Sequence, residues 1–145
     1  LGQGRQIKEV AMIKFTVFGE PVAQARPRVT RYGAYDLPRC KAYKEQVALT
    51  AKVAMRGLLP SQGPIACHIH VYRGIPKSWS RAKRGAAQAG NLLPTSKPDT
   101  DNYLKSIMDG LTGIAWADDS QVIRVTCEKS YSEQPRAVIE IDEIA

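Results

Sequence analysis

The chain has 145 residues, of which 43% are hydrophobic and 24% are charged, and its formal net charge at pH 7 is +7. These values are typical of one folded domain and exclude a disordered chain, a collagen-like repeat and a small disulfide-stapled protein. The positive charge favours a polyanionic partner such as nucleic acid, but many basic proteins bind nothing acidic, so charge alone does not decide.

The cysteines and the apolar runs indicate the compartment in which the protein works. Cys40, Cys67 and Cys127 are far apart, and any disulfide scheme leaves one of them unpaired. We therefore expect reduced thiols and a cytoplasmic protein. No apolar run reaches the roughly 20 residues of a membrane-spanning helix. The N-terminus also lacks the apolar centre of a signal peptide, so we expect no membrane partner.

The first strand is predicted from Met12 to Glu20, where apolar and polar side chains alternate as in a strand with one buried face. Because Met12 opens this pattern, we expect residues 1–11 to be a tag or a disordered extension and residues 12–145 to form one domain. Residues 20–38 follow with three prolines and a glycine. This composition predicts a long ordered loop without regular structure.

An amphipathic helix is predicted from Arg39 to Leu58, ahead of Pro60. Its apolar side chains recur at intervals of three and four residues. They are Tyr43, Val47, Ala51, Ala54 and Leu58. A second strand is predicted over residues 64–73, where apolar residues occupy every second position. These positions are Ile65, Cys67, Ile69 and Val71.

Two histidines on the second strand raise the question of a metal pair. His68 and His70 share one face of the strand. No further ligand stands at a suitable spacing from them, so we interpret them as ordinary strand residues rather than as a zinc site. Cys67 and Cys127 similarly fit buried strand positions.

The next part of the chain contains a basic segment and a third helix. Residues 74–97 are basic, and a short solvent-facing helix is predicted over residues 78–89. Another helix begins near Asp99 or Thr100 and ends at Gly113. Its inner side is formed by Tyr103, Leu104, Ile107, Met108 and Leu111.

The C-terminal residues complete the predicted fold. Residues 121–131 and 136–144 have strand patterns separated by the turn-like SEQP, which predicts a closing hairpin. The order is therefore strand, helix, strand, helix, hairpin. This order predicts an α+β fold in which helices pack on a single mixed β-sheet.

Five aspartates crowd into residues 99–119 of this basic chain. They are Asp99, Asp101, Asp109, Asp118 and Asp119. Carboxylates so close together repel and raise one another's pKa unless something compensates them. One interpretation is structural. Asp99 or Asp101 caps the third helix, and Asp101, Lys105 and Asp109 form a salt-bridged row on its surface.

The other interpretation of these aspartates is a metal site. Asp99, Asp101 and one of Asp118 or Asp119 would converge on a divalent cation. Oxygen ligands without cysteine or paired histidine favour magnesium or manganese over zinc.

The segment PDTDNYLKSIMDGLTGIAWADDSQV resembles the signature of the RusA family of Holliday junction resolvases. The shared pattern is Asp-x-Asp-Asn-x-x-Lys, then Asp-x-Leu, then Trp-x-Asp-Asp-x-Gln-Val. It is met by Asp99, Asp101, Asn102, Lys105, Asp109, Leu111, Trp116, Asp118, Asp119, Gln121 and Val122. The resemblance is tight over residues 97–122 and loose over residues 12–144. The early loop departs from the family, with Glu-Pro-x-x-x-x-Arg-Pro-Arg in place of an Asn-rich start.

The resemblance implies an endodeoxyribonuclease of a prophage or bacterium that works as a homodimer without an organic cofactor. It would bind four-way DNA junctions and cut two strands symmetrically with magnesium, for which manganese can substitute. It implies that Asp99, Asp101 and Asp119 are the catalytic, metal-binding aspartates. Lys105 would be the catalytic lysine, which either stabilises charge on the phosphate or orients the water. Asp118 is left out, because neighbouring strand side chains face opposite ways.

Two basic clusters are candidate DNA-binding surfaces. The first lies in the early loop and contains Arg26, Arg28 and Arg31, with Tyr32 and Tyr35 beside them. It can hold backbone phosphates or stack on an unpaired base. The second contains Arg81, Lys83 and Arg84. A merely solvated surface is the alternative for both clusters.

Other functions and roles stay open at this point. The protein could bind nucleic acid without cutting it, or cut flaps, replication forks or RNA instead of junctions. Asn102 either orients a ligand or closes a turn at the helix start. We interpret Trp116 as a core residue near the site.

Overall fold

The computed structural model describes residues 9–145. Within these residues, a four-stranded sheet, a separate two-stranded hairpin and three α-helices are formed. In chain order the elements are β1 (Glu9–Phe18), β2 (Arg28–Thr30), β3 (Gly33–Tyr35), α1 (Pro38–Met55), β4 (Ile65–Gly74), α2 (Arg81–Gln88), α3 (Thr100–Leu111), a 3-10 turn (Asp119–Gln121), β5 (Val122–Ser132) and β6 (Arg136–Ile144). The predicted α+β class with one mixed sheet is confirmed.

The sheet has the strand order β1-β6-β4-β5, with β4 and β5 parallel and the other pairs antiparallel. The predicted closing hairpin of the last two strands is therefore wrong, because β4 lies between them. The short connection of residues 133–135 passes the end of β4 at Gly74. A Cβ at that position would lie 2.8 Å from Glu20 Oε2. A side chain there would therefore displace the Glu20 carboxylate, which accepts from the Gly74 N–H.

One face of the sheet carries the core. The alternation predicted for β4 is confirmed, because Ile65, Cys67, Ile69 and Val71 are all buried. Helices α1 and α3 cover this face and approach each other closely. A Cβ added at Gly110 of α3 would lie 2.8 Å from the Lys44 carbonyl oxygen of α1. Glycine at this position therefore sets how closely the two helices pack.

Helix α1 is shorter than predicted. It ends at Met55, where Arg56 adopts a left-handed conformation (φ 49°) and Gly57 follows with positive φ. The left-handed turn at Arg56, rather than Pro60, terminates the helix. Leu58 is consequently outside the helix and 60% exposed.

The N-terminal strand begins earlier than predicted. β1 starts at Glu9, and residues 9–11 pair with residues 142–144 of β6. These three residues thus belong to the sheet rather than to an extension, because β6 offers them a full set of backbone partners. The rest of the predicted extension, residues 1–8, lies outside the described residues.

The early loop contains regular structure after all. Strands β2 and β3 pair as a small hairpin, which the proline content did not predict. Gly33 has φ +115°, a left-handed conformation that glycine adopts without strain and that closes the turn. The Tyr32 N–H also donates to Thr30 Oγ1 at 3.2 Å.

The three cysteines are free thiols. Burial raises the pKa of Cys67 to about 12 and that of Cys127 to about 11, so both are protonated and unreactive near neutral pH. In the part of the chain that the structure describes, no helix combines the length and the apolar character needed to span a membrane.

Candidate active site

Asp99 and Asp101 lie exposed at the start of α3. Asp99 occupies the N-cap position with extended backbone, but its side chain makes no capping hydrogen bond. Within residues 9–145, neither carboxylate forms a side-chain hydrogen bond or an ion pair. The capping interpretation is therefore wrong for Asp99. The two carboxylates therefore have no side-chain partner among the described residues, and the positive end of the helix dipole offsets only part of their charge.

The predicted salt-bridged row along α3 does not form. Asp109 Oδ2 lies 3.1 Å from Lys44 Nζ of α1 instead of pairing with Lys105. Lys44 Nζ also contacts Asp36 Oδ2 at 2.7 Å. Lys105 is exposed and, among the described residues, has no acidic partner. Lys105 lies one helical turn beyond Asp101, and its ammonium group is available to bind an anion from solution.

Strand β5 fixes the segment that leads into α3. Lys129 Nζ donates to the carbonyl oxygens of Ser96 and Pro98, each at 3.0 Å. Cys127 Sγ lies 3.8 Å from the Thr100 carbonyl oxygen. These contacts hold the backbone on both sides of Asp99 against the sheet.

A groove runs beside Asp99. It has a volume of about 310 Å³ and is lined on one side by residues 23–26 of the early loop and on the other by Lys97, Pro98, Asp99 and Asn102. The Gln24 N–H donates to the Asn102 carbonyl oxygen at 2.9 Å, which joins the two walls. The backbone N–H of Asn102 donates to the Asp99 carbonyl oxygen at 3.1 Å. The groove therefore combines an exposed carboxylate with the cations Arg26 and Lys97.

Asp119 lies at the opposite end of α3. Its Oδ1 accepts a hydrogen bond from Trp116 Nε1 at 3.2 Å and contacts the hydroxyl of Thr112, the residue that follows the helix. Trp116 Nε1 also lies 3.1 Å from Thr112 Oγ1. The interpretation of Trp116 as a core residue is confirmed, since it is fully buried. The contact of Thr112 with Asp119 was not foreseen, because it depends on the turn that the chain makes after α3 ends at Leu111.

Asp118 has a structural role. Its carboxylate accepts from the Ser120 N–H at 2.9 Å, and its own N–H donates to Gln121 Oε1 at 2.8 Å, which completes a capping box. The Ser120 backbone N–H lowers the pKa of Asp118. The strand argument for leaving out Asp118 does not hold, because residues 119–121 form a 3-10 turn. Asp118 is instead engaged by the capping box of this turn.

Helix α3 separates the aspartates of one chain. Its twelve residues span about 18 Å at the usual helical rise. The structure thus places Asp99 and Asp101 two residues apart at the start of α3 but does not bring Asp119 to them within one chain. In the described range, no three side chains of His, Cys, Asp or Glu are grouped so that they could hold a metal ion.

The donors at the start of α3 nevertheless suit magnesium. Asp99 and Asp101 offer hard carboxylate oxygens that no described residue engages. Magnesium usually keeps several waters and is held by one or two carboxylates plus a substrate phosphate, rather than by a closed protein cage. The pair therefore fits this ion in donor chemistry.

Both predicted basic clusters are at the surface. Arg26, Arg28 and Arg31 are exposed, and the Arg31 guanidinium lies 5.0 Å from the centre of the Tyr32 ring. In the second cluster, Arg81 and Lys83 are exposed and Arg84 is half-buried. Lys83 Nζ lies 4.0 Å above the Trp79 ring. In the described part of the chain, none of these six cations pairs with a carboxylate.

The two histidines are strand residues, as interpreted from the sequence. His68 Nδ1 lies 2.8 Å from Thr126 Oγ1, and His70 Nε2 lies 2.8 Å from Ser130 Oγ. Burial lowers the pKa of His70, which keeps it neutral near pH 7. They lie on the face of the sheet opposite α1 and α3, away from Asp99, Asp101 and Asp119, and His68 Nε2 is 3.4 Å from Asp142 Oδ2.

Comparison with known proteins places most of the chain in one group. A family model described as Endodeoxyribonuclease RusA matches residues 19–142. The uncharacterized protein YqaN of Bacillus subtilis (strain 168) is 43% identical over 139 residues, which cover 92% of this chain and 97% of that protein. The crossover junction endodeoxyribonuclease rusA of Lactococcus phage r1t is 39% identical over 51 residues, 34% of this chain and 39% of that protein.

Proposed function

The chain belongs to the RusA endodeoxyribonuclease family, and on that premise we propose that it resolves four-way DNA junctions as a magnesium-dependent homodimer. The observation that carries the proposal is the pair of carboxylates without side-chain partners among the described residues at the start of α3. One of them, Asp99, lines a groove that also contains Arg26 and Lys97. A protein that only binds nucleic acid has no use for two free carboxylates where phosphate must approach. They would repel it.

Each residue of this site would have a separate role in phosphodiester hydrolysis. Asp99 and Asp101 would hold the magnesium ion, which supplies an activated water and neutralises charge on the scissile phosphate. Arg26 and Lys97 draw the phosphate into the groove. Lys105 stands one turn from Asp101 and places a free positive charge beside the reacting phosphate, which lowers the free energy of the transition state.

We propose that two chains complete each active site. A two-fold axis perpendicular to α3 and passing beside its middle would pair α3 with its symmetry mate in antiparallel fashion. Asp119 of one chain would then lie beside Asp99 and Asp101 of the other, and the reverse at the second site. Thr112 and Trp116 hold the Asp119 carboxylate in place for that role. Two active sites related by such an axis also suit symmetric cleavage of a junction.

An apolar strip beside α3 suits this dimer. Ile123 and Val125 are 59% and 37% exposed on β5, which is an edge strand of the sheet. They share a strand face with Cys127, which contacts the start of α3. Exposed apolar side chains on an unpaired edge strand favour association with another chain. In the proposed dimer, a second copy of the chain would cover this strip and place its Asp119 in the active site of the first chain.

Replacing Thr112 with Val should lower single-turnover junction cleavage by about tenfold, because Asp119 loses one of the two groups that orient it. Junction binding should not change. The Thr112 hydroxyl also lies 2.9 Å from the Met108 carbonyl oxygen, one turn back. The matched control is Thr50→Val, since the Thr50 hydroxyl lies 2.8 Å from the Gln46 carbonyl oxygen in the same way but touches no aspartate among the described residues. Equal cleavage by the two variants would remove Thr112 from the positioning of Asp119.

Reversing charge in the early loop should weaken junction binding at physiological salt. For Arg26→Glu with Arg28→Glu, the slope of log affinity against log salt should fall by about one to two. Lys52→Glu with Arg56→Glu, two exposed cations on and just after α1, is the control and should leave the slope unchanged. A slope that stays the same in the loop variant would show that these arginines do not contact phosphate.

A further inference from the structure

The β2–β3 hairpin stands apart from the rest of the fold. Every residue of its two strands is exposed, and neither strand pairs with the main sheet. Two large side chains near its turn face solvent almost completely: Val29 is 82% exposed and Tyr32 is 85% exposed. Among residues 9–145, the apolar and aromatic end of this hairpin therefore packs against little else.

The base of this hairpin, by contrast, is firmly held. Gln24 Nε2 donates to Asp36 Oδ1 at 3.1 Å and so joins the two ends of the loop. Lys44 binds Asp36 at 2.7 Å and Asp109 of α3 at 3.1 Å. The hydrogen bond from Lys44 lowers the pKa of Asp36, and its bonds to both aspartates raise the pKa of Lys44 against the opposing effect of burial. The base of the hairpin is thus connected through Lys44 to α3.

The hairpin also begins at the candidate active site. Residues 23–26, which lead into β2, line the groove that contains Asp99 and Asn102. A phosphate held in that groove would therefore lie next to the residues that lead into the hairpin.

The charged residues around the hairpin turn favour nucleic acid as the partner of this surface. Arg28 and Arg31 flank Val29, and the Arg31 guanidinium stacks over the Tyr32 ring at 5.0 Å. Cations beside an exposed aromatic ring are the combination that binds the backbone and stacks on the bases of nucleic acid. Apolar wedges between base steps unstack and kink DNA, and a branch point is where stacking is most easily broken.

We propose that Val29 and Tyr32 form a wedge that enters the branch point of the junction and unstacks the base pairs next to the phosphate to be cut. This assignment rests on the proposed function, because it takes the junction as the substrate. Arg28 and Arg31 hold the backbone on either side, and the anchored base sets the distance between the opened step and Asp99. The hairpin thereby makes cleavage selective for branched DNA.

The test uses four-way junctions with 2-aminopurine beside the branch point, whose fluorescence rises when the base unstacks. The measurement is made with chelator and no metal, so that no strand is cut. Full-length wild-type protein should raise the fluorescence, and Tyr32→Ala with Val29→Ser should lose most of that rise while affinity falls by no more than about fivefold. Tyr32→Phe should restore it. Leu59→Ala, which removes an equally exposed apolar side chain (86%) outside the hairpin, should behave as wild type.

The outcomes separate the wedge from the nuclease itself. A fluorescence rise that is unchanged in the double variant, or absent in wild type although the junction is bound, would overturn the wedge and leave metal-dependent cleavage standing. With magnesium, the double variant should cut junctions at least about tenfold more slowly. Wild-type protein that neither prefers junctions nor cuts them with metal would overturn the proposed function, and the wedge with it.

Discussion

Asp101→Asn should reduce junction cleavage by at least about a thousandfold, because it removes one of the two carboxylates that would hold the metal. Junction affinity should be unchanged or higher, since the substitution removes a negative charge that repels phosphate at the start of α3. Asn is close in size to Asp, and the Asp101 carboxylate makes no ion pair within the described residues. The variant should therefore fold normally. Cleavage by single turnover and binding by gel shift, on the same protein, measure the two effects.

The control for this prediction is Asp118→Asn. Asp118 caps the 3-10 turn, and Asn caps about as well as Asp, so cleavage should stay near the wild-type rate. Loss of binding together with cleavage in a folded Asp101→Asn protein would instead give Asp101 a structural role. Normal cleavage would exclude it from the active site.

A mixed dimer of Asp101→Asn and Asp119→Asn chains should recover nicking activity that neither variant has alone. When the sites are shared between chains, one site of the mixed dimer carries both lesions and the other carries none, so nicking should return to about half the wild-type rate. The two chains are co-expressed with different tags and purified through both. Nicking of one junction strand, rather than paired cutting, is the readout.

The reciprocal dimer makes the experiment decisive. One chain carries both substitutions and its partner is wild type. Shared sites then hold one lesion each and should be inactive, whereas sites confined to one chain would leave the wild-type chain active. Activity in the reciprocal dimer and none in the first would contradict the shared site.

The sequence predicted the core of the fold better than its strand pairing. The alternation in β4 follows from burial of one strand face, which a sequence records directly. Partner choice is a tertiary matter: the SEQP turn favoured pairing of β5 with β6, but β4 lies between them and pairs with both. The end of α1 was similarly set by a backbone conformation at Arg56 that no proline signalled.

The candidate active site was likewise predicted from the sequence only in part. The motif located the aspartates, but closeness in sequence implied closeness in space, and α3 keeps Asp119 away from Asp99 within one chain. Asp118 was left out on a strand argument, whereas a capping box is what engages it. The hydrogen bonds from Trp116 and the contact with Thr112 depend on how the chain turns after α3, which spacing alone does not specify.

The central claim is that the free carboxylates at the start of α3 support metal-dependent cutting of branched DNA. Its most direct test is incubation of a labelled four-way junction with the full-length protein, in magnesium and in chelator, beside a flap, a fork and an RNA duplex. We expect paired, symmetric cuts in the junction with magnesium, none with chelator, and far slower cutting of the other substrates. A junction that is bound but intact in magnesium would contradict the claim.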